Sequence, residues 1–84
     1  MIESGEFVSV VYFYNDTFDL LEDILLFTDE DAARKYLAYL KGIAEQNDAL
    51  EDYRNDRAMA YLSARTDDNY ICTYSLDLIP KRVI

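Results

Sequence analysis

Histidine and tryptophan are missing from this 84-residue chain, and cysteine, proline and glycine are nearly so: Cys72, Pro80, Gly5 and Gly42 are the whole supply. Without histidine the commonest general base is gone, and Ser63, Ser75 and Cys72 have no imidazole to activate them as nucleophiles. A lone cysteine excludes an internal disulfide and suits a reducing compartment. Two glycines cannot build a glycine-rich phosphate loop, and the CxxC, HExxH and calcium-loop spacings cannot be written. No metal and no cofactor is therefore expected. No apolar run approaches the ~18 residues of a membrane span. Met1 to Val10 carries Glu3 and Glu6 without a basic cluster, which does not read as a secretory signal. These features together predict a cytoplasmic protein.

Basic residues are also scarce. Eight lysines and arginines face seventeen acidic residues, for a formal net charge of -9. That sign disfavours binding to anionic membranes or directly to nucleic acid, and favours basic partners. Self-repulsion of this size works against compaction, so a small domain that keeps it is expected to use the field outside itself. What remains is a globular composition, 51% apolar and 30% charged. The length fits one domain, residues 1–84, burying about 60–65% of its unfolded surface.

Glu6 to Tyr14 is rich in valine and aromatics and ends in the turn-forming Asn15-Asp16-Thr17, which predicts a strand. Both of its faces are apolar, with Phe7, Val11 and Phe13 on one and Val8, Val10, Tyr12 and Tyr14 on the other, as in a central strand or one covered by a partner. Phe18 to Phe27 fits either a helical face or, over Glu22–Phe27, a strand returning from a hairpin, and the strand is preferred. Thr28-Asp29-Glu30-Asp31 then starts a helix, with Thr28 as cap and three carboxylates at the positive end of the dipole. Ala33, Tyr36, Leu37, Leu40, Ile43 and Ala44 give it an apolar stripe, and Asp31 can pair with Arg34 or Lys35.

Leu50, Tyr53, Arg57, Ala60, Tyr61 and Ala64 continue a helical period to about Arg65, with Asn47 or Asp48 as the cap of a second helix. A rival reading makes Ala58–Arg65 a strand paired with the last one across Thr66-Asp67-Asp68-Asn69; alanine richness favours the helix. Tyr70 to Ile79 alternates, with Cys72, Tyr74, Leu76 and Leu78 on its apolar side, and Pro80 ends it. The expected fold class is α+β: a small antiparallel sheet of about three strands in the order β-β-α-α-β, with one or two helices on one face.

The stretch from Phe7 to Leu40, with "LFTDEDAARKYL" and "YSLDLI", resembles small strand-strand-helix-strand proteins of phage and bacterial genomes. Size and acidity are also similar to those of phage-encoded inhibitors of host defence, including anti-CRISPR and anti-restriction proteins that imitate DNA. That resemblance rests on no motif. It implies a location in the cytoplasm of a bacterial host and carries over no site residue.

On the second helix, Asp48, Asp52 and Asp56 would recur every fourth residue, spaced about 6 Å apart along one stripe and so close to the spacing of phosphates. With Glu51 they form the expected contact surface, to which Tyr39 and Tyr53 add aromatic contacts. Asp16, Asp19, Glu22 and Asp23 extend it if the hairpin lies alongside. Tyr36, Tyr53 and Tyr61 fall on apolar stripes and are expected to serve the core. The leading expectation is a non-catalytic inhibitor that occupies the basic nucleic-acid-binding groove of a larger protein. A docking or homodimerisation module using Val8, Val10 and Tyr12 is the alternative, and an enzyme built on paired carboxylates is a more distant one.

Overall fold

The computed structural model describes residues 7–80. The chain runs β1 (Phe7–Asn15), β2 (Leu20–Phe27), α1 (Glu30–Gln46), β3 (Leu50–Asn55), β4 (Ala60–Arg65) and β5 (Ile71–Pro80). All strand pairs are antiparallel and the five-stranded sheet has the order β2-β1-β5-β4-β3. The α+β expectation holds, but the sheet has five strands and the described residues contain one helix. β1 lies between β2 and β5, the internal position expected for it, and α1 covers only its Val11 and Phe13 face.

The expected second helix is instead β3 and β4. Leu50, Tyr53, Ala60 and Ala64 satisfy a helical period, yet they satisfy the period of a hairpin equally well. Ala60, Leu62 and Ala64 point at α1 from β4, with Tyr53 paired to Leu62 beside them. β5 is apolar on its α1 side along much of its length and needs a neighbour on each edge. β4 supplies the second, so pairing overrides the helix propensity of alanine. The rival strand reading of Ala58–Arg65 is the correct one.

α1 starts where the acidic run predicted, although its cap is Asp29 and not Thr28. The Ala32 amide donates to Asp29 Oδ1 at 2.7 Å, and Glu30 and Asp31 occupy the first turn. Asp31 pairs with Lys35 at 2.9 Å, while Arg34 takes Glu30 at 2.7 Å. Seventeen residues make a helix about 25 Å long. Five strands span about 19 Å. α1 therefore crosses the full sheet, leaving from edge strand β2, delivering the chain to the opposite edge strand β3, and touching every strand on the way.

The core lies under this crossing. Val11, Ala33, Leu37, Ala60 and Leu62 are buried together, ringed by Leu25, Phe27, Leu40, Tyr53, Tyr74 and Leu76. Phe13 stacks on Tyr74 with ring centroids 4.6 Å apart, and Tyr36 meets Phe27 and Tyr74. Cys72 is buried here too, as expected.

Among the described residues no helix or strand packs on the other face, although Val10 on it is only 3% exposed. There Val10 lies between Leu26 and Asp77, and Tyr12 between Ile24 and Ser75. The β2–β1 half of this face is apolar, with Leu26 72% and Ile24 49% exposed. The β5–β4–β3 half is polar: Tyr61 donates to Asp52 at 2.7 Å, and Ser63 and Thr73 share a hydrogen bond of 2.7 Å. No helix among the described residues is long and apolar enough to cross a membrane.

Candidate functional site: an acidic loop cluster

Three turns meet at one end of the sheet, β1–β2, β4–β5 and α1–β3, because the strand directions leave no other place for them. Their contacts are specific. The Asp16 amide donates to the Ile71 carbonyl at 2.9 Å and the Ile71 amide to Thr17 Oγ1 at 2.9 Å. Phe18 meets Tyr70 edge to face at 4.7 Å. The Arg65 amide donates to the Ala49 carbonyl at 2.8 Å, which ties the α1–β3 turn to the end of β4. Asn15 shapes the first turn by accepting from the Phe18 amide at 3.1 Å, a side-chain turn typical of asparagine. Asp19, Asp48 and Asn69 adopt left-handed backbone at φ 55°, 53° and 67°, which short polar residues tolerate best.

Charge is divided lengthwise. At the end where α1 begins and β3 turns into β4, Glu30, Asp31 and Asp56 are paired with Arg34, Lys35 and Arg54. At the loop end Lys41 pairs with Glu45 and Arg65 with Glu51. Asp16 and Asp19, Glu22 and Asp23 at the start of β2, Asp48, and Asp67 and Asp68 have no ion pair among the described residues. Of the ten carboxylates without an ion pair among the described residues, Asp16, Asp19, Asp48, Asp67 and Asp68 lie on the three turns and Glu22 and Asp23 near the start of β2, while Asp29, Asp52 and Asp77 lie elsewhere.

The expected stripe does not exist. On a strand, four residues cover about 13 Å, not 6 Å, and the three aspartates go to different places. Asp48 sits in the α1–β3 turn. Asp52 lies on the uncovered sheet face under the Tyr61 hydroxyl. Asp56 is in the β3–β4 turn at the far end, where it accepts from the Ala58 and Met59 amides at 2.8 and 3.1 Å and from Arg54 Nε at 2.6 Å. Arg54 and those amides hold its carboxyl below the ordinary value, so Asp56 shapes a turn. Tyr53 faces α1, its hydroxyl accepting from Asn55 Nδ2 at 3.0 Å and its ring lying 5.2 Å from Lys41 Nζ, which makes it part of the packing. Tyr39 projects from α1 at 65% exposure, away from the loop cluster's contacts.

Asp16, Asp19, Glu22, Asp23 and Asp48 do belong to the acidic end. Asp67 and Asp68, absent from the expected surface, join them. The signal that finds them is the hairpin reading of Thr66–Asn69, which brings that turn beside β1–β2. Among the described residues no group of three or more His, Cys, Asp or Glu side chains is placed to hold a metal ion.

Three tyrosines have phenol pKa values above the ordinary 10.0: Tyr14 through its hydrogen bond to Asp19, Tyr61 through its bond to Asp52, and Tyr74 through burial. Folding therefore favours their protonated forms. Their contribution to stability is complete below about pH 10 and is lost as the pH rises through the higher folded values. Thermal unfolding followed against pH, with tyrosinate absorbance alongside, is expected to show stability falling from about pH 10 upward, and less steeply in Tyr14→Phe.

Comparison of the chain with protein-family models, with curated proteins and with solved structures found no match.

Proposed function

We propose that this protein is an inhibitor that binds the basic nucleic-acid-binding groove of a larger protein, such as a host defence enzyme or effector complex, and blocks it by competition without chemistry. One observation carries this reading: Asp16, Asp19, Asp48, Asp67 and Asp68, from three separate turns at one end of the sheet, make no ion pair among the described residues. Like charges held together cost stability, and an external cation repays that cost. A groove that neutralises phosphates offers such cations in a row. The phage-type inhibitors that the chain resembles in size and acidity act in this way.

A second reading is favoured by the outer sheet face, where Leu21, Ile24 and Leu26 are exposed across from Tyr14, Tyr12 and the already buried Val10. A regulatory partner or a second copy of the chain would bury that apolar half.

One experiment separates the two. Tagged protein is used to capture its partner from bacterial host extract, and the captured protein is challenged with salt and with duplex DNA. Competition for a groove predicts that DNA releases the partner and that affinity falls at least about tenfold between low and high ionic strength. Capture that survives both refutes it and favours docking through the sheet.

A further inference from the structure

We infer that the cavity beside the last turns of α1 receives a long cationic side chain, arginine or lysine, from the partner, with an adjoining apolar group. This rests on the competitive reading for the partner's identity and on the cavity's own chemistry for what enters it. The cavity has a volume of about 510 Å³ and lies between α1 and β4–β5 at the acidic end. It is an open groove, roomy enough for one long side chain and not a closed ligand pocket.

It exists because the core thins here. Ala44, Ala49 and Ala64 are small, and the space they leave is walled by Leu40, Leu62 and Tyr74. The mouth has the opposite character, with Asp48 on one side and Asp67 on the other. α1 ends at this point with no basic residue in its last turn, its final carbonyls being bonded by the neutral amides of Asn47, Asp48 and Ala49, so no positive charge of the helix offsets the negative end of its dipole. Arg65 reaches the lining but is held away, its guanidinium donating to Asn69 Oδ1 at 2.6 Å and pairing with Glu51 at 3.2 Å. An apolar floor under an anionic mouth suits a side chain with an aliphatic stem and a positive tip. An anionic ligand would meet both aspartates and the dipole. A wholly apolar one would bury them without compensation. Arginine fits best, because its planar fork can bond two acceptors at once.

The test uses N-acetyl-leucyl-arginine amide as probe, titrated into the ¹⁵N-labelled full chain and followed by amide shifts. Expected are saturable shifts at Ala44, Ala49, Ala64 and Thr66, binding at least about tenfold weaker for the citrulline analogue, which keeps shape and loses charge, and loss of binding in Ala64→Leu, which fills the space without altering charge. Ala49→Leu replaces that variant if its spectrum shows it unfolded. Shifts scattered over all the acidic turns, equal response to citrulline, or undiminished binding in the filled variant overturn the proposal. If any of these occurs while partner capture remains sensitive to salt and DNA, the cavity alone is ruled out and the acidic end keeps its role. Loss of that sensitivity as well removes both.

Discussion

Replacing Leu37 with alanine is expected to destabilise the protein by about 2–5 kcal/mol, in the range of large-to-small core substitutions. Leu37 is 0% exposed and sits at the centre of the cluster with Val11 and Leu62. One helix covers the whole packed face of the sheet, so no second layer can settle into the void. Domains of this kind have about 5–15 kcal/mol in total, and small ones lie low in that range. The melting temperature should drop by roughly 10–30 °C. Leu26→Ala is the matched comparison: the same deletion at a 72% exposed site on the uncovered face should stay within about 0.5 kcal/mol. Thermal unfolding by circular dichroism reads both. Equal losses would show that the core is not where the packing places it.

Lysine at Asp16, Asp19, Asp67 and Asp68 together is expected to weaken partner capture by about 100-fold or more at low salt, since each change removes an attraction and adds a repulsion. The variant loses the Tyr14 bond to Asp19 and the Thr73 bond to Asp16 and places lysine in the left-handed backbone of Asp19, so its circular dichroism spectrum and melting curve are recorded first. Asp67→Lys with Asp68→Lys, whose side chains make no ion pair among the described residues, is the control that keeps the β1–β2 turn intact. Asp31→Lys and Asp77→Lys, which alter charge away from the three turns, should cost less than about tenfold. Binding curves at several salt concentrations measure the difference. If the fourfold variant captures its partner as well as the unaltered chain, the loop cluster is not the contact surface and the apolar half of the sheet takes its place.

How much of this the sequence disclosed follows the range of the forces involved. β1 was readable because valine and aromatic residues over nine positions carry a local preference, and its two apolar faces foretold an internal position. The start of α1 was readable from Asp29, Glu30 and Asp31, whose effect on a helix end is local as well, although which residue accepts the Ala32 amide was not. β3 and β4 were misread because Leu50, Tyr53, Ala60 and Ala64 fit two periods. The choice between them is made by β5, which lies far along the chain for β3 and needs a second neighbour. The stripe of Asp48, Asp52 and Asp56 fell with that misreading. The acidic end was hidden for a related reason: Asp16, Asp48 and Asp67 share one end of the sheet only once pairing across all five strands sets their turns side by side.

The strand at the middle of the sheet is also the latest of the five in chain order. β1–β2 and β3–β4 can each close as a local hairpin, but they share no edge, and α1 has no continuous floor until β5 slots between them. During synthesis the nascent chain must therefore wait, with two half-sheets and bare strand edges, until Ile71–Pro80 clears the ribosome. A polypeptide cut short before that segment would expose the facing edges of β1 and β4 as templates for aggregation.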